Sequence, residues 1–172
     1  AYRELEEKTN VKNIYLEQVH TFGKVERYPG RRVITISYFA LINPDKHTLK
    51  PGSETKEVKW FPVKKLPEMP FDHLEILGTA LKTLRQLVRH KPVGFELLPS
   101  KFTLTQLQSL YESIYDLKFD KRNFRKRILS MKLLTELEEF QKGVPHRVAR
   151  LYKFDEAKYE ELKKNGLSFE IK

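Results

Sequence analysis

Cysteine is missing altogether from the 172 residues, tryptophan occurs once and methionine twice. Without a thiol there is no disulfide, no thiolate metal site and no cysteine nucleophile, and nothing calls for an oxidising compartment. Long apolar runs are missing as well. The longest, such as Ile34 to Ile42, reach about half of what a membrane-crossing helix needs, and no cleavable targeting segment opens the chain. The expectation is a soluble, cytoplasmic protein with no membrane partner. Acidic residues are the scarcer sign of charge, 23 against 33 Lys and Arg, which leaves a net charge of +10. Such an excess draws polyanions by raising their local concentration and releasing their counterions.

What is present is enough apolar material, 40% of residues, for one good core or two small ones. The charge is not spread evenly. Between Lys118 and Lys153 eleven basic residues stand against four acidic ones, and that concentration is the first functional signal.

Along the chain, Ala1 to Thr9 reads as the end of a helix that arrives with no start signal, as though the chain were cut at its N-terminus. Ile14 to Thr21 alternates as a strand, with Gln18 and His20 expected on one side. Arg32 to Ile42 carries apolar groups on both faces, which predicts a strand buried on both sides with helices above and below it. Glu57 to Val63, centred on Trp60, is expected to be another strand. Asp72 and Glu75 form a capping-box pattern ahead of a helix from His73 to His90, whose Leu74, Leu77, Leu81, Leu84 and Val88 make an apolar seam. Pro92, Gly94 and Pro99 mark the boundary, so that residues 1–91 and 92–172 are expected to be separate domains.

The second half starts with a capping box, Thr103 with Gln106, and a helix whose Leu107, Leu110, Tyr111 and Ile114 face inward. After a short break Asp120 caps another helix, with Phe124, Ile128 and Met131 at inward spacing. Two helices with a tight connection are a helix-turn-helix candidate. Strands near Thr135–Phe140 and Val148–Lys153, joined by a basic loop, supply a wing. Asp155 caps a last helix through Lys164, and Ser168 to Ile171 is a candidate edge strand.

Each helical residue advances about 100°, so with Phe124 and Ile128 inward, Arg122, Arg125, Lys126 and Leu129 point away from the core. Lys121 sits in the first turn, where the helix dipole disfavours a cation and stability alone would place an acid. A helix fits the major groove of DNA, arginine pairs with guanine and asparagine with adenine. Arg122, Asn123 and Lys126 are therefore the base-reading candidates. Lys121 belongs to the same surface, and Arg125, Arg127, Lys142, His146, Arg147 and Arg150 are the candidates for phosphate contacts, which position a domain without reading sequence. Single-stranded RNA is a poorer target, because Tyr111, Phe119, Phe124 and Phe140 fall at core-like positions.

The opening Arg3-Glu-Leu-Glu-Glu-Lys-Thr-Asn-Val11 resembles the second half of the Nudix box. Arg3, Glu4, Leu5, Glu7 and Val11 fit that pattern, whereas Lys8 replaces the second paired glutamate and Asn10 the glycine. In Nudix hydrolases those glutamates hold divalent cations, so the resemblance implies a site without a metal, cofactor or catalytic residue, and hydrolysis lost or very weak. With Trp60-Phe-Pro-Val63 and Leu66-Pro67 leading to the helix from Asp72, and with the runs Phe102–Glu112 and Asp120–Lys126, the chain looks like the Nudix-related transcriptional regulators. The resemblance implies an α+β protein: a Nudix-like α/β/α sandwich, incomplete at its start, followed by a winged helix-turn-helix domain.

It further implies a homodimer on double-stranded operator DNA, released by a small effector, either an ADP-ribose-like nucleotide or a sugar such as arabinose. The broken box favours the sugar, and Glu7, Gln18, His20 and Tyr38 are the effector candidates. The rival reading is a Nudix pyrophosphohydrolase that keeps a metal through Glu4 and Glu7. A third is a winged helix that binds protein and never touches DNA.

Overall fold

The computed structural model describes residues 1–143, 148–165 and 169, apart from the side chain of Glu96. The chain is an α+β protein that divides into two compact units, Ala1–Thr83 and Leu84–Lys172, so the division falls inside one long helix.

In the first unit, α1 (Tyr2–Thr9) is followed by β1 (Glu17–Phe22) and β2 (Thr35–Phe39), which pair antiparallel. α1 ends at Asn10 in the left-handed conformation, φ 62°. Asparagine tolerates that region because its short polar side chain bonds locally, and here the amide donates to the Thr48 carbonyl at 3.1 Å. The loop carrying Thr48 is drawn onto the end of α1, where Lys50 N also donates to Thr9 O at 3.1 Å. Gly52 completes the contact: any Cβ at that position would run into the Glu7 carbonyl.

Three expectations for this unit are corrected. The strand expected over Arg32 to Ile42 is shorter, Thr35–Phe39, and is not buried on both sides, since Ile34, Ile36 and Tyr38 are exposed; the pleat turns them to one face, and no described element covers it. Residues 57–63 form no strand. They alternate in the manner of one, but a strand needs a hydrogen-bonding neighbour, and β1 and β2 pair only with each other. Finally, Asp72 and Glu75 do not serve as a capping box. Asp72 gives both carboxylate oxygens to Arg27, at 2.8 and 2.9 Å, and Glu75 gives both of its own to Lys24. The Arg27 guanidinium also donates to Thr35 Oγ1 at 2.8 Å. Its side chain is only 5% exposed, so the turn at Val25–Arg27, the start of β2 and the approach to the next helix are held by one shielded ion pair. The Arg27 hydrogen bond keeps the Asp72 carboxyl below its ordinary range.

That next helix, α2 (His73–His90), matches the expected limits. Its last turns belong to the second unit, where Val88 is fully buried. There α3 (Leu104–Tyr115), α4 (Lys121–Ser130), the hairpin β3 (Leu134–Phe140) with β4 (Arg150–Phe154), and α5 (Glu156–Lys164) surround one core. α3 contributes Leu107 and Tyr111, both 0% exposed, and α4 contributes Phe124 and Ile128, each 2%. Phe102 exchanges backbone bonds with Tyr152, at 3.0 and 2.8 Å, and so adds a one-residue third strand beside β4. The predicted edge strand at Ser168–Ile171 lies outside the described residues except for Phe169, which is buried.

Thr103 caps α3 as the sequence anticipates: its hydroxyl accepts from Gln106 N at 3.1 Å while the Gln106 side chain accepts from Thr103 N at 2.8 Å. Thr103 is itself 2% exposed, so water cannot replace the lost partner. Thr103→Ala is expected to lower unfolding free energy by about 1 kcal/mol, read as a reduced denaturant midpoint with an unchanged slope, and Thr103→Ser to restore most of it.

Candidate nucleic-acid interface

The surface of interest begins with a turn. Between α3 and α4 the chain reverses over Asp116 to Phe119, with Asp116 left-handed at φ 56°. Glu112 fastens that turn. Its carboxylate accepts from Gln108 Nε2 at 3.0 Å, from Lys118 Nζ at 2.7 Å and from the backbone N–H of Phe119 at 3.0 Å. The three donors, Lys118 first, hold its pKa down to about 2. Gln108 also reaches the Phe119 carbonyl at 3.2 Å, so the amide and carboxylate side chains satisfy both backbone groups of one residue. Beneath the turn the Phe119 ring lies 5.3 Å from that of Phe124. Asp120 then starts α4 by accepting from Asn123 N at 2.8 Å.

With Phe124 and Ile128 buried, the opposite side of α4 is open. Lys121, Arg122, Asn123 and Lys126 are exposed, and none of the three cations makes an ion pair among the described residues. Leu129, 43% exposed, lies on the same side. Arg127, also exposed, has an interaction of its own. The ten-residue helix thus offers a cationic face about 15 Å long, unshielded by carboxylates in its first turn.

Two of the expected phosphate contacts are engaged elsewhere. Arg125 is half-buried: Nη2 donates to Thr105 Oγ1 at 3.1 Å, and its Nε is buried without a partner among the described residues. It joins α4 to the start of α3. Arg150 is paired with Glu136 across the hairpin and lies 5.4 Å from the Phe140 ring centroid. The wing closes through Gln141 N to Ala149 O at 2.8 Å, which leaves Lys142 exposed at its tip. His146 and Arg147 lie outside the described residues. Glu139 on β3 is bound by Lys101 at 2.7 Å, so part of that strand's acidity is neutralised beside the tip.

In the first unit the strands bring together Gln18 and Tyr38 of the four effector candidates, and not His20 or Glu7. Gln18 stands opposite Tyr38, on the open side of the sheet with Ile36. A bulge between Gln18 and His20 then shifts the register, so His20 opposes Ser37 on the other side and its ring lies 4.9 Å from that of Phe22. The sequence alternation that placed Gln18 and His20 together fails at that one irregular residue. Glu7 is on α1, held by Arg3 at 2.7 Å.

The same helix carries the carboxylates of the Nudix pattern. Arg3 binds Glu4 and Glu7, each at 2.7 Å, and the Lys8 ammonium lies 3.1 Å from Glu4. Lys8 is the first cause of the lowered Glu4 pKa. An ammonium beside Glu4, where the Nudix pattern has a second glutamate, takes away one carboxylate and puts a repelling cation next to another. The residues present do not fit a Nudix metal centre.

Sequence reasoning missed Glu112 and its three donors, as well as the exchange in which Arg85 Nε donates to the Ile114 carbonyl and Tyr115 Oη to the Arg85 carbonyl. None of these contacts follows a helical or strand period. The one available signal was a glutamate and a lysine flanking a predicted tight connection.

Comparison with known proteins finds two family models along the chain. The NUDIX domain model matches residues 1–80, and the NrtR DNA-binding winged helix domain matches residues 94–154. The ADPR responsive transcriptional repressor NtrR of Acinetobacter baylyi is 33% identical over 156 residues, 90% of this chain and 62% of its own length. The chain therefore spans less than two thirds of that relative. Among solved structures, Shewanella oneidensis NrtR is 30% identical with a TM-score of 0.68, and NrtR complexed with a 27mer DNA is 29% identical with a TM-score of 0.71; each covers 90% of this chain and 70% of its own. A MutT/nudix family protein from Enterococcus faecalis is 25% identical, with a TM-score of 0.67, over 89% of this chain and 66% of its own.

The turn carries a pH dependence. Because Glu112 is depressed in the folded state, its stabilising contribution is complete above about pH 4.5 and is lost as pH falls toward about 2. Thermal melts of the wild type should fall through that window, and Glu112→Gln should start lower at neutral pH and show a shallower decline.

Proposed function

This chain belongs to the Nudix-related transcriptional regulators, and from that premise we propose that it is an effector-controlled DNA-binding repressor rather than an enzyme. Residues 92–172 form the DNA-binding domain and residues 1–91 the effector domain. Two copies bind a palindromic operator, one recognition helix per half-site. The observation that carries this reading is the open cationic face of α4. Arg122, Asn123 and Lys126 read base edges there, with Lys121, Arg127 and Lys142, and His146 and Arg147 of the wing, on phosphates. Arg125 and Arg150 serve mainly to set the helix and the wing in place, given their internal partners.

The effector is an ADP-ribose-like nucleotide. The arabinose-like sugar expected from the sequence has no support in the relatives, one of which is described as ADPR responsive. Effector binding changes the spacing of the two winged helices so that both half-sites can no longer be held together. The hydrolase alternative has against it the Lys8 ammonium beside Glu4.

Selection from random duplexes should return a palindrome with fixed half-site spacing, and ADP-ribose should weaken binding to it. Arg122→Ala is expected to cost about 1–3 kcal/mol and to relax the preference at one base pair, whereas Lys142→Ala should weaken all duplexes alike and reduce the salt slope by about one unit per subunit. Duplex binding that vanishes at physiological salt with no sequence preference would reject the proposal in favour of a protein-binding winged helix. Magnesium-dependent hydrolysis of ADP-ribose to AMP and ribose 5-phosphate would reject its non-enzymatic part.

A further inference from the structure

Away from the sheet face and from α1, the first unit carries an aromatic group that its packing leaves unexplained. Phe71, directly before α2, has φ 54°. That left-handed conformation is strained for a bulky side chain, and strain of this kind marks positions that the surrounding structure or a ligand needs. The ring is not placed there to be buried, since Phe71 is 55% exposed. It leans on the half-buried Tyr28 with centroids 4.8 Å apart and planes inclined at 38°, and the His73 ring meets it at 6.0 Å, close to edge-on. The Arg31 guanidinium lies 5.2 Å from the Tyr28 centroid, and Arg32 beside it is exposed. Below, the Arg27–Asp72 pair fixes both backbone segments that supply the rings.

We propose that Tyr28 and Phe71, flanked by Arg31 and Arg32, form a stacking platform for the base of a nucleotide, with the guanidinium groups taking its phosphate. This rests on the reading that the effector is a nucleotide, and it adds where that nucleotide sits. An exposed aromatic face stacks on any planar base, while the planar guanidinium fork matches phosphate oxygens. A sugar alone would present no π-face, and a long single strand would call for a row of such platforms where one ring pair stands. Asp72 does not repel the phosphate as a bare charge, because both its oxygens are held by Arg27. Glu75 is likewise held by Lys24 at 2.9 Å.

The test is titration calorimetry of the full chain with ADP-ribose and with AMP. Phe71→Gly removes the ring at a position whose backbone conformation favours glycine, so the variant should melt at or above the wild-type temperature. It should nevertheless bind both nucleotides about tenfold or more weakly. Arg31→Gln should weaken both as well and reduce the salt dependence of binding. If wild type and Phe71→Gly bind ADP-ribose equally, or if Tyr38→Ala abolishes binding while Phe71→Gly leaves it intact, the platform is overturned and the nucleotide effector stands. If neither nucleotide binds the wild type, the nucleotide reading and the platform fall together.

Discussion

The open cationic face of α4 keeps its direction only if the turn before it is fixed, and that turn depends on a carboxylate. Glu112 sits at the end of α3 and gathers Lys118, Gln108 and the Phe119 amide. The turn would otherwise leave backbone groups of Phe119 unsatisfied beside a hydrophobic ring. With both groups satisfied, Phe119 packs on Phe124 and α4 can turn only one face outward. Arg125 reinforces that constraint from the other side by tying α4 to Thr105. The cations on the open side are thus held by interactions that they do not themselves make.

Much of this was legible in the sequence, and the legible parts share a cause. Caps and amphipathic helices are written in residues three or four apart, so Thr103 with Gln106, Asp120 with Asn123 N, and the limits of α2 could be read directly. Pairing across longer separations could not. Residues 57–63 have the alternation of a strand without a neighbour to complete it, and Asp72 with Glu75 has a cap's spacing while its carboxylates bind Arg27 and Lys24, each more than forty residues away. The Gln18/His20 bulge is a single inserted residue with no compositional mark. The same limit explains why Arg122 and Lys126 stand open and unpaired among the described residues, as expected, while Arg125 is half-buried and bonded to Thr105, and Arg150, though exposed, is paired with Glu136.

The first helix illustrates how little separates a metal site from a surface ion network. One substitution in the Nudix pattern puts an ammonium next to Glu4, and Arg3 occupies what remains of the carboxylate capacity. Asn10, by contrast, replaces glycine without loss of shape, because it adopts the left-handed end that the pattern requires. In this segment the backbone keeps a left-handed helix end without glycine, while one carboxylate of the pattern is exchanged for an ammonium.

The two units also differ in how much they bury. In the first, Val11 and Phe22 are the buried apolar residues, whereas the second encloses a continuous cluster from α2 to Phe169. Local opening free energies follow buried contact, so amide hydrogens of β1 and β2 should exchange with solvent well before those of α3 and α4. A molecule that binds only the ordered form of a unit stabilises it by an amount set by concentration and affinity; beside the small buried core of the first unit, the same amount would be a larger share of what holds it together.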